Sequence, residues 1–168
     1  MRFLYIITII GCAGAIQKTS QSLENDGYVI SNELGRAYKT MYLARTWNNA
    51  KRMCIVQGAK LAVPKTEEEF KFLQQLVRKM EYNDIIGTDY KLLVWVGISN
   101  IANYTMWENV DGQNINDTGF HKWAKGNGET FSDSDLEPRC VGIDAMNDGL
   151  RDFWCHHHQP YICEKTVS

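Results

Sequence analysis

The sequence predicts an α+β domain held by two disulfides, and three observations carry that expectation. Two helical patterns, over residues 46–58 and 66–80, sit among segments with the composition of β-strands. A hairpin signal, Asn147-Asp148-Gly149, lies between two further strand patterns near the C-terminus. Four cysteines, Cys54, Cys140, Cys155 and Cys163, follow a start that is built for export.

That start, "MRFLYIITIIGCAGA", has one early cation at Arg2, an apolar run from Phe3 to Ile10, and small residues at Ala13 and Ala15. This is the build of a secretory signal peptide over residues 1–15, cleaved after Ala15. A short buried strand is the competing reading. Cleavage removes Cys12 and leaves an even number of cysteines. In an exported chain an even number forms disulfides, here with three alternative pairings.

The chain has 168 residues, 44% of them hydrophobic and 23% charged, which suits one domain with a real core. Its formal charge is −2 and it has no basic run, so nucleic acid and anionic membrane are poor partners. No segment supplies the ~20 apolar residues of a membrane span. The expected protein is therefore secreted, soluble and extracellular.

Residues 16–27, "IQKTSQSLENDG", are polar and aperiodic, and are expected as a loose N-terminal lead to a domain over 28–168. "KTMYLA" alternates enough for a strand. "TWNNAKRMCIVQG" predicts a helix with Thr46 as N-cap and Gly58 as its stop, turning Trp47, Ala50 and Cys54 to the core. After "AKLAVP", Thr66 and Glu69 form a capping box, and Phe70, Leu73, Leu76, Val77 and Met80 form the buried stripe of a second helix. "LLVWVGI", Leu92 to Ile98, is a continuous run of β-formers and predicts a central strand. Some forty residues rich in Gly, Asn, Asp and Trp follow, a length of irregular chain that usually marks a functional loop. "RCVGIDAM" and "LRDFWC" make the hairpin, and "YICEK" the final strand.

Between the last two cysteines stand three histidines, in "CHHHQPYIC". Oxidised sulfur cannot ligate zinc, so the favoured reading is a polar turn into the last strand. A weak surface zinc site from His156 and His158, sharing one face of a strand, is the alternative.

In this order the pieces resemble the C-type lectin-like domain. The features that carry the resemblance are Trp95-Val-Gly-Ile98, Cys140-Val-Gly-Ile143, Asp152-x-x-Cys155 and Tyr161-Ile-Cys163-Glu164, with two helices ahead of the first. The resemblance covers residues 28–165. It implies two helices flanking antiparallel sheets, a long irregular loop region, and the pairs Cys54–Cys163 and Cys140–Cys155. No extra N-terminal cysteine pair is present, so the chain is similar to the short form and to secreted invertebrate lectins of innate immunity. The implied partners are glycans such as microbial surface polysaccharide or lipopolysaccharide, or alternatively a protein receptor.

The resemblance also implies Ca²⁺ as a cofactor, because the family holds sugar through an ion that takes six to eight oxygen ligands. This chain departs from each of the family's three ligand motifs. The Glu-Pro-Asn or Gln-Pro-Asp triplet falls on Asn127-Gly128-Glu129 or Glu129-Thr130-Phe131, without the proline. Glu137 stands one position further from Cys140 than usual. The Trp-Asn-Asp triplet becomes Leu150-Arg151-Asp152, so only the aspartate persists. The implied metal ligands are Glu129, Glu137 and Asp152. Asn127, Phe131 and Arg151 complete the implied ligand-binding set. Asp133 and Asp135 enlarge the acidic cluster, for which a solvated acidic loop is the bland alternative.

Unit charges ~4 Å apart interact by ~4 kcal/mol at an effective dielectric of ~20, and a divalent ion doubles that. An inward Arg151 would therefore offset much of a carboxylate's attraction, and Arg151→Asn would raise calcium affinity. An outward one only removes a ligand. Of the loop aromatics, Trp107 and Trp123 are expected under the loop. Phe120 is a further stacking candidate, and Phe131 is the better sugar contact. Asn103 and Asn116 head glycosylation sequons, "NYT" and "NDT". No Gly-x-Ser-x-Gly, no His-Glu-x-x-His and no free cysteine nucleophile is present, so no enzyme is expected.

Overall fold

A computed structural model of the protein describes residues 20–128 and 137–167. The signal-peptide expectation for residues 1–15 lies outside the described residues. The chain order is β1 (Val29–Ser31), β2 (Arg36–Arg45), α1 (Trp47–Val56), β3 (Lys60–Leu61), α2 (Glu67–Arg78), β4 (Val94–Ser99), β5 (Glu108–Asn109), β6 (Arg139–Ile143), β7 (Arg151–Trp154) and β8 (Gln159–Thr166). The expected loose lead is partly wrong. Residues 20–25 are helical, and Leu23 is buried with Tyr28 and Ala37. One buried leucine anchors that turn, too short a signal for periodicity to register.

The strands form one sheet in the order β1-β2-β8-β4-β6-β7, with β3 on β8 and β5 on β4. Among these strands the pairings are antiparallel except β4 with β8, which are parallel at Trp95 and Tyr161. The expected antiparallel arrangement is thus corrected to a mixed sheet. A parallel neighbour needs a long crossover, and the whole stretch from β4 through the β6–β7 hairpin supplies it.

The continuous apolar run of β4 has a simple cause. Val94, Val96 and Ile98 face the core beneath α2 and the long loop, while Leu93 and Trp95 face a second core beneath α1. A strand buried on both faces shows no alternation. Gly97 is forced at its place in β4, because a Cβ there would meet the Leu61 carbonyl at 2.8 Å and Val110 at 2.9 Å. The second core also holds both disulfides, Cys54–Cys163 and Cys140–Cys155, as the resemblance implied.

Helix α1 turns Trp47, Ala50 and Cys54 inward as the periodicity requires, but Thr46 makes no side-chain cap. Gly58, with φ +64, takes the left-handed turn that ends this segment. In α2 only half of the capping box forms. Thr66 accepts from the Glu69 N–H at 3.1 Å, but Glu69 turns away from Thr66. Its carboxylate instead accepts from the Tyr38 hydroxyl at 2.6 Å and the Lys65 N–H at 2.9 Å. Satisfying a buried carboxylate with these two donors outweighs the local cap, because an unsatisfied one costs more than a cap contributes. The Arg36 guanidinium adds an ion pair at 3.7 Å and hydrogen-bonds the buried Glu164 at 2.6 Å.

Candidate functional site

The long loop after β4 is built on aromatic side chains. Phe120 stacks on Phe70 of α2, with ring centroids 4.6 Å apart, and the Trp107 and Trp123 rings lie 4.8 Å apart. Phe120 is buried, so it is a core residue and not a sugar contact. Trp107 donates its ring N–H to the Gly128 carbonyl at 3.1 Å. Gly128, with φ +84, lies flat against Trp123, where a Cβ would overlap the indole. Asn127 and Gly128 are thereby delivered to the start of β7.

There they meet Asp152. Its Oδ1 accepts from the Gly128 N–H at 2.6 Å, and its Oδ2 from Arg139 Nη1 at 2.7 Å. Asn127 Oδ1 accepts from the Asp152 N–H at 3.1 Å. The Asp152 side chain is 2% exposed and that of Arg139 24%. Both oxygens of the one aspartate that survives from the family's triplet are therefore committed to protein donors. Arg139 brings a fixed positive charge to the one aspartate that the resemblance names as a calcium ligand. This donor set does not fit a divalent cation, which would meet the guanidinium's repulsion and find Asp152 already engaged. Glu137 is solvent-exposed, and Glu129, Phe131, Asp133 and Asp135 lie outside the described residues. Among the described residues no group of three His, Cys, Asp or Glu side chains is placed to hold a metal ion.

Arg139 is the residue that sequence reasoning missed. In the β6–β7 ladder Arg139 stands opposite Trp154, and Val141 opposite Asp152. Arg139, Asp152 and Trp154 thus share one face, with arginine and aspartate on the diagonal that long side chains span. Trp154 is 36% exposed, and the Arg139 guanidinium carbon lies 5.7 Å from its ring centroid. The signal was available in principle: a cation beside Cys140 and an anion three residues before Cys155. Using it required the register, which the seven-residue loop over 144–150 sets.

Arg151 does not join this site. Neighbouring residues of a strand point to opposite faces, and Arg151 Nη1 pairs with Asp144 Oδ2 at 2.6 Å and donates to the Leu92 carbonyl at 3.3 Å. It points outward from Asp152, so its substitution for asparagine removes a ligand without adding repulsion there. Arg151→Asn accordingly leaves the Arg139–Asp152 pair in place and is expected not to raise calcium affinity. Calcium titration of both proteins checks this.

Asp144 carries a pH consequence. Burial pushes its carboxyl up, but N–H groups of Asn147, the Arg151 guanidinium and the Met146 N–H outweigh it and hold the pKa below the ordinary range. A carboxyl depressed in the folded state stabilises above its unfolded pKa, ~3.9, and that stability is lost as pH falls through the folded value. Asp144→Asn is therefore expected to cost about 1–2 kcal/mol at neutral pH, allowing for solvent screening. The difference from wild type should shrink steadily below about pH 4. Urea unfolding at pH 7 and pH 3 measures it, and a gap as large at pH 3 as at pH 7 refutes it.

The three histidines occupy the turn between β7 and β8, as the favoured reading expected. His156 and His157 stack at 4.5 Å, and His157 is tilted against Phe153 at 4.6 Å. Burial first, then the neighbouring His156 and His158, lower the His157 pKa against the opposing pull of Glu137. With residues 155–158 in a turn, the strand face that the zinc reading required for His156 and His158 does not exist. The sequon residues Asn103 and Asn116 are both exposed.

The comparisons with known proteins agree with this architecture. The Lectin C-type domain family profile matches residues 43–165. CD209 antigen-like protein A of Mus musculus is 28% identical over 134 residues, which is 80% of this chain and 49% of that protein. Hemolymph lipopolysaccharide-binding protein of Periplaneta americana is 28% identical over 139 residues, 82% of this chain and 52% of that one. The chain spans about half the length of these two curated relatives. Among solved structures, the trimeric structure of Kupffer cell C-type lectin receptor Clec4f superposes with a TM-score of 0.71 at 21% identity, covering 98% of this chain and 99% of that one. A calcium-independent type II antifreeze protein gives 0.63 at 21% identity, covering 84% and 93%. At these identities the solved structures bear on the fold alone. The two-disulfide mixed sheet and a family match across most of its length place this chain in the C-type lectin domain family.

Proposed function

We propose that this chain is a secreted glycan-binding lectin of innate immunity whose sugar face works without calcium. The observation that carries the metal-free reading is the Arg139–Asp152 pair, 2.7 Å apart, which occupies the aspartate that the resemblance names as a calcium ligand. The guanidinium holds the carboxylate in a fixed orientation. Beside it, Trp154 offers a part-exposed indole face to the apolar side of a sugar ring. The part-exposed Arg139 guanidinium is suited to donate to neighbouring sugar hydroxyls. The glycan class is supported by relatives named for lipopolysaccharide binding and as CD209 antigen-like proteins. Microbial surface polysaccharide or lipopolysaccharide is the expected ligand, with free mannose and galactose bound only weakly and affinity gained through multivalent display. Asn103 and Asn116 are proposed to carry glycans, since both are exposed.

A glycan and lipopolysaccharide array run with calcium and with EDTA tests this. Retention should be indifferent to EDTA and fall at least tenfold in Trp154→Ala, about the loss of 1.4 kcal/mol. Retention abolished by EDTA refutes the metal-free site. A second reading, a calcium-independent protein receptor site, is favoured by the pairing of an exposed tryptophan with arginine, side chains enriched at protein hot spots. An array that retains no glycan under either condition selects it.

A further inference from the structure

On the opposite side of β7 from Asp152, Arg151 borders a half-open cavity of about 380 Å³. Val77 and Met80 at the end of α2 form one wall, and Leu93, Val94 and Pro160 form the floor. Met80 was expected to be only a core residue, yet it and Val77 stay partly exposed at this opening. The size falls in the range of small-molecule sites, and their combination of apolar lining with a few polar groups is also met.

The rim is apolar as well, with Tyr82 60%, Leu92 40% and Met146 87% exposed around it. Exposed apolar side chains that ring a concave apolar surface mark a binding site more often than an accident of packing. Its charge is unbalanced. Two cations and one carboxylate line it, and Arg151 is neutralised by Asp144 at 2.6 Å. That leaves Lys91. Its ammonium donates to the Tyr82 carbonyl at 2.7 Å and sits 5.0 Å from the Tyr82 ring centroid. Among the described residues no carboxylate pairs with it, so two of its three protons remain available at the mouth. The Tyr82 hydroxyl in turn donates to the Lys91 carbonyl at 2.6 Å, which fixes the two residues on each other.

We infer that this cavity binds a free medium-chain fatty acid, with the alkyl chain against Val77, Met80 and Leu93 and the carboxylate at Lys91. A bilayer is disfavoured as the source of the chain. One surplus cation on a protein of formal charge −2 is far from the basic cluster that anionic lipid surfaces require. Its lining includes none of Arg139, Asp152 and Trp154, so it stands or falls independently of the glycan reading.

The experiment uses the whole protein with methyl-labelled methionine, titrated with dodecanoate, decanoate and dodecanol. Saturable dodecanoate binding should shift the Met80 and Met146 methyl signals and leave Met41 and Met53, which pack against the second core, unmoved. Each methylene withdrawn from water carries roughly a fourfold change in affinity, so decanoate should bind about fifteenfold more weakly. Dodecanol and the Lys91→Glu variant should each lose about tenfold, and Met80→Trp should abolish binding by filling the cavity. Lys91 lies at the surface, so that variant keeps the proposal testable even if Met80→Trp fails to fold. Absence of saturable binding, shifts at Met41 or Met53 instead, or equal affinity for dodecanol overturns the proposal. Binding to phosphatidylglycerol vesicles without binding to free dodecanoate also overturns it.

Discussion

Replacing Cys54 and Cys163 together by alanine is expected to lower stability by about 4.7 kcal/mol, the largest effect of any substitution considered for this protein. The bond closes a loop with a sequence separation of 109, tying α1 to the last strand. The loop-closure entropy it removes from the unfolded chain grows with the logarithm of loop length. Cys140–Cys155 has a separation of only 15, for which the same reasoning gives about 3 kcal/mol. The order of the two is therefore a sharper test than either value. Equilibrium unfolding in denaturant of the two double-alanine variants measures both. Equal losses, or a larger one for the short bridge, would mean that native packing of these buried sulfurs, not chain entropy, sets their contribution.

The second large effect concerns Arg139. Arg139→Asn leaves the Asp152 carboxylate buried with the Gly128 N–H as its one remaining donor at Oδ1 and none at Oδ2. Breaking a buried pair from one side costs about 3–5 kcal/mol, and the lower end applies because the arginine is partly exposed. The substitution also removes the charge that repels a divalent ion and adds an amide oxygen beside Asp152. The variant should thus be about 3 kcal/mol less stable in EDTA and regain part of that loss in millimolar calcium. The wild-type protein should be indifferent to the ion. Thermal unfolding of both proteins in EDTA and in calcium decides the matter. A wild type that calcium stabilises, or a variant as stable as wild type in EDTA, removes the role assigned to the guanidinium.

These two sites differ in how far the sequence exposed them. The disulfide partners were legible because cysteine spacing and the neighbouring motifs are local patterns, and a family resemblance turned three alternatives into one. The cluster at Asp152 was legible only by its position. Which cation neutralises it depends on cross-strand register, and register depends on where the loop over residues 144–150 lets β6 meet β7. Arg151 is adjacent to Asp152 in sequence and was therefore the natural suspect. Strand geometry sends it to the other face, and Arg139, thirteen residues away, takes the place instead.

The sequence by itself determined the α+β class, both helices, the central strand, the hairpin and the oxidised cysteines. Each rests on periodicity, caps or counting over short windows, where local preference and the final fold agree. Only the tertiary structure decided the parallel pairing of β4 with β8, the diversion of Glu69 from its cap to Tyr38, the direction of Arg151 and the cavity behind it. Except for Arg151, whose partner Asp144 lies seven residues away, a buried polar group or an apolar surface chose its partner across a large sequence separation. The energy of satisfying a buried charge exceeds any local preference, and it is fixed by neighbours that sequence proximity does not name.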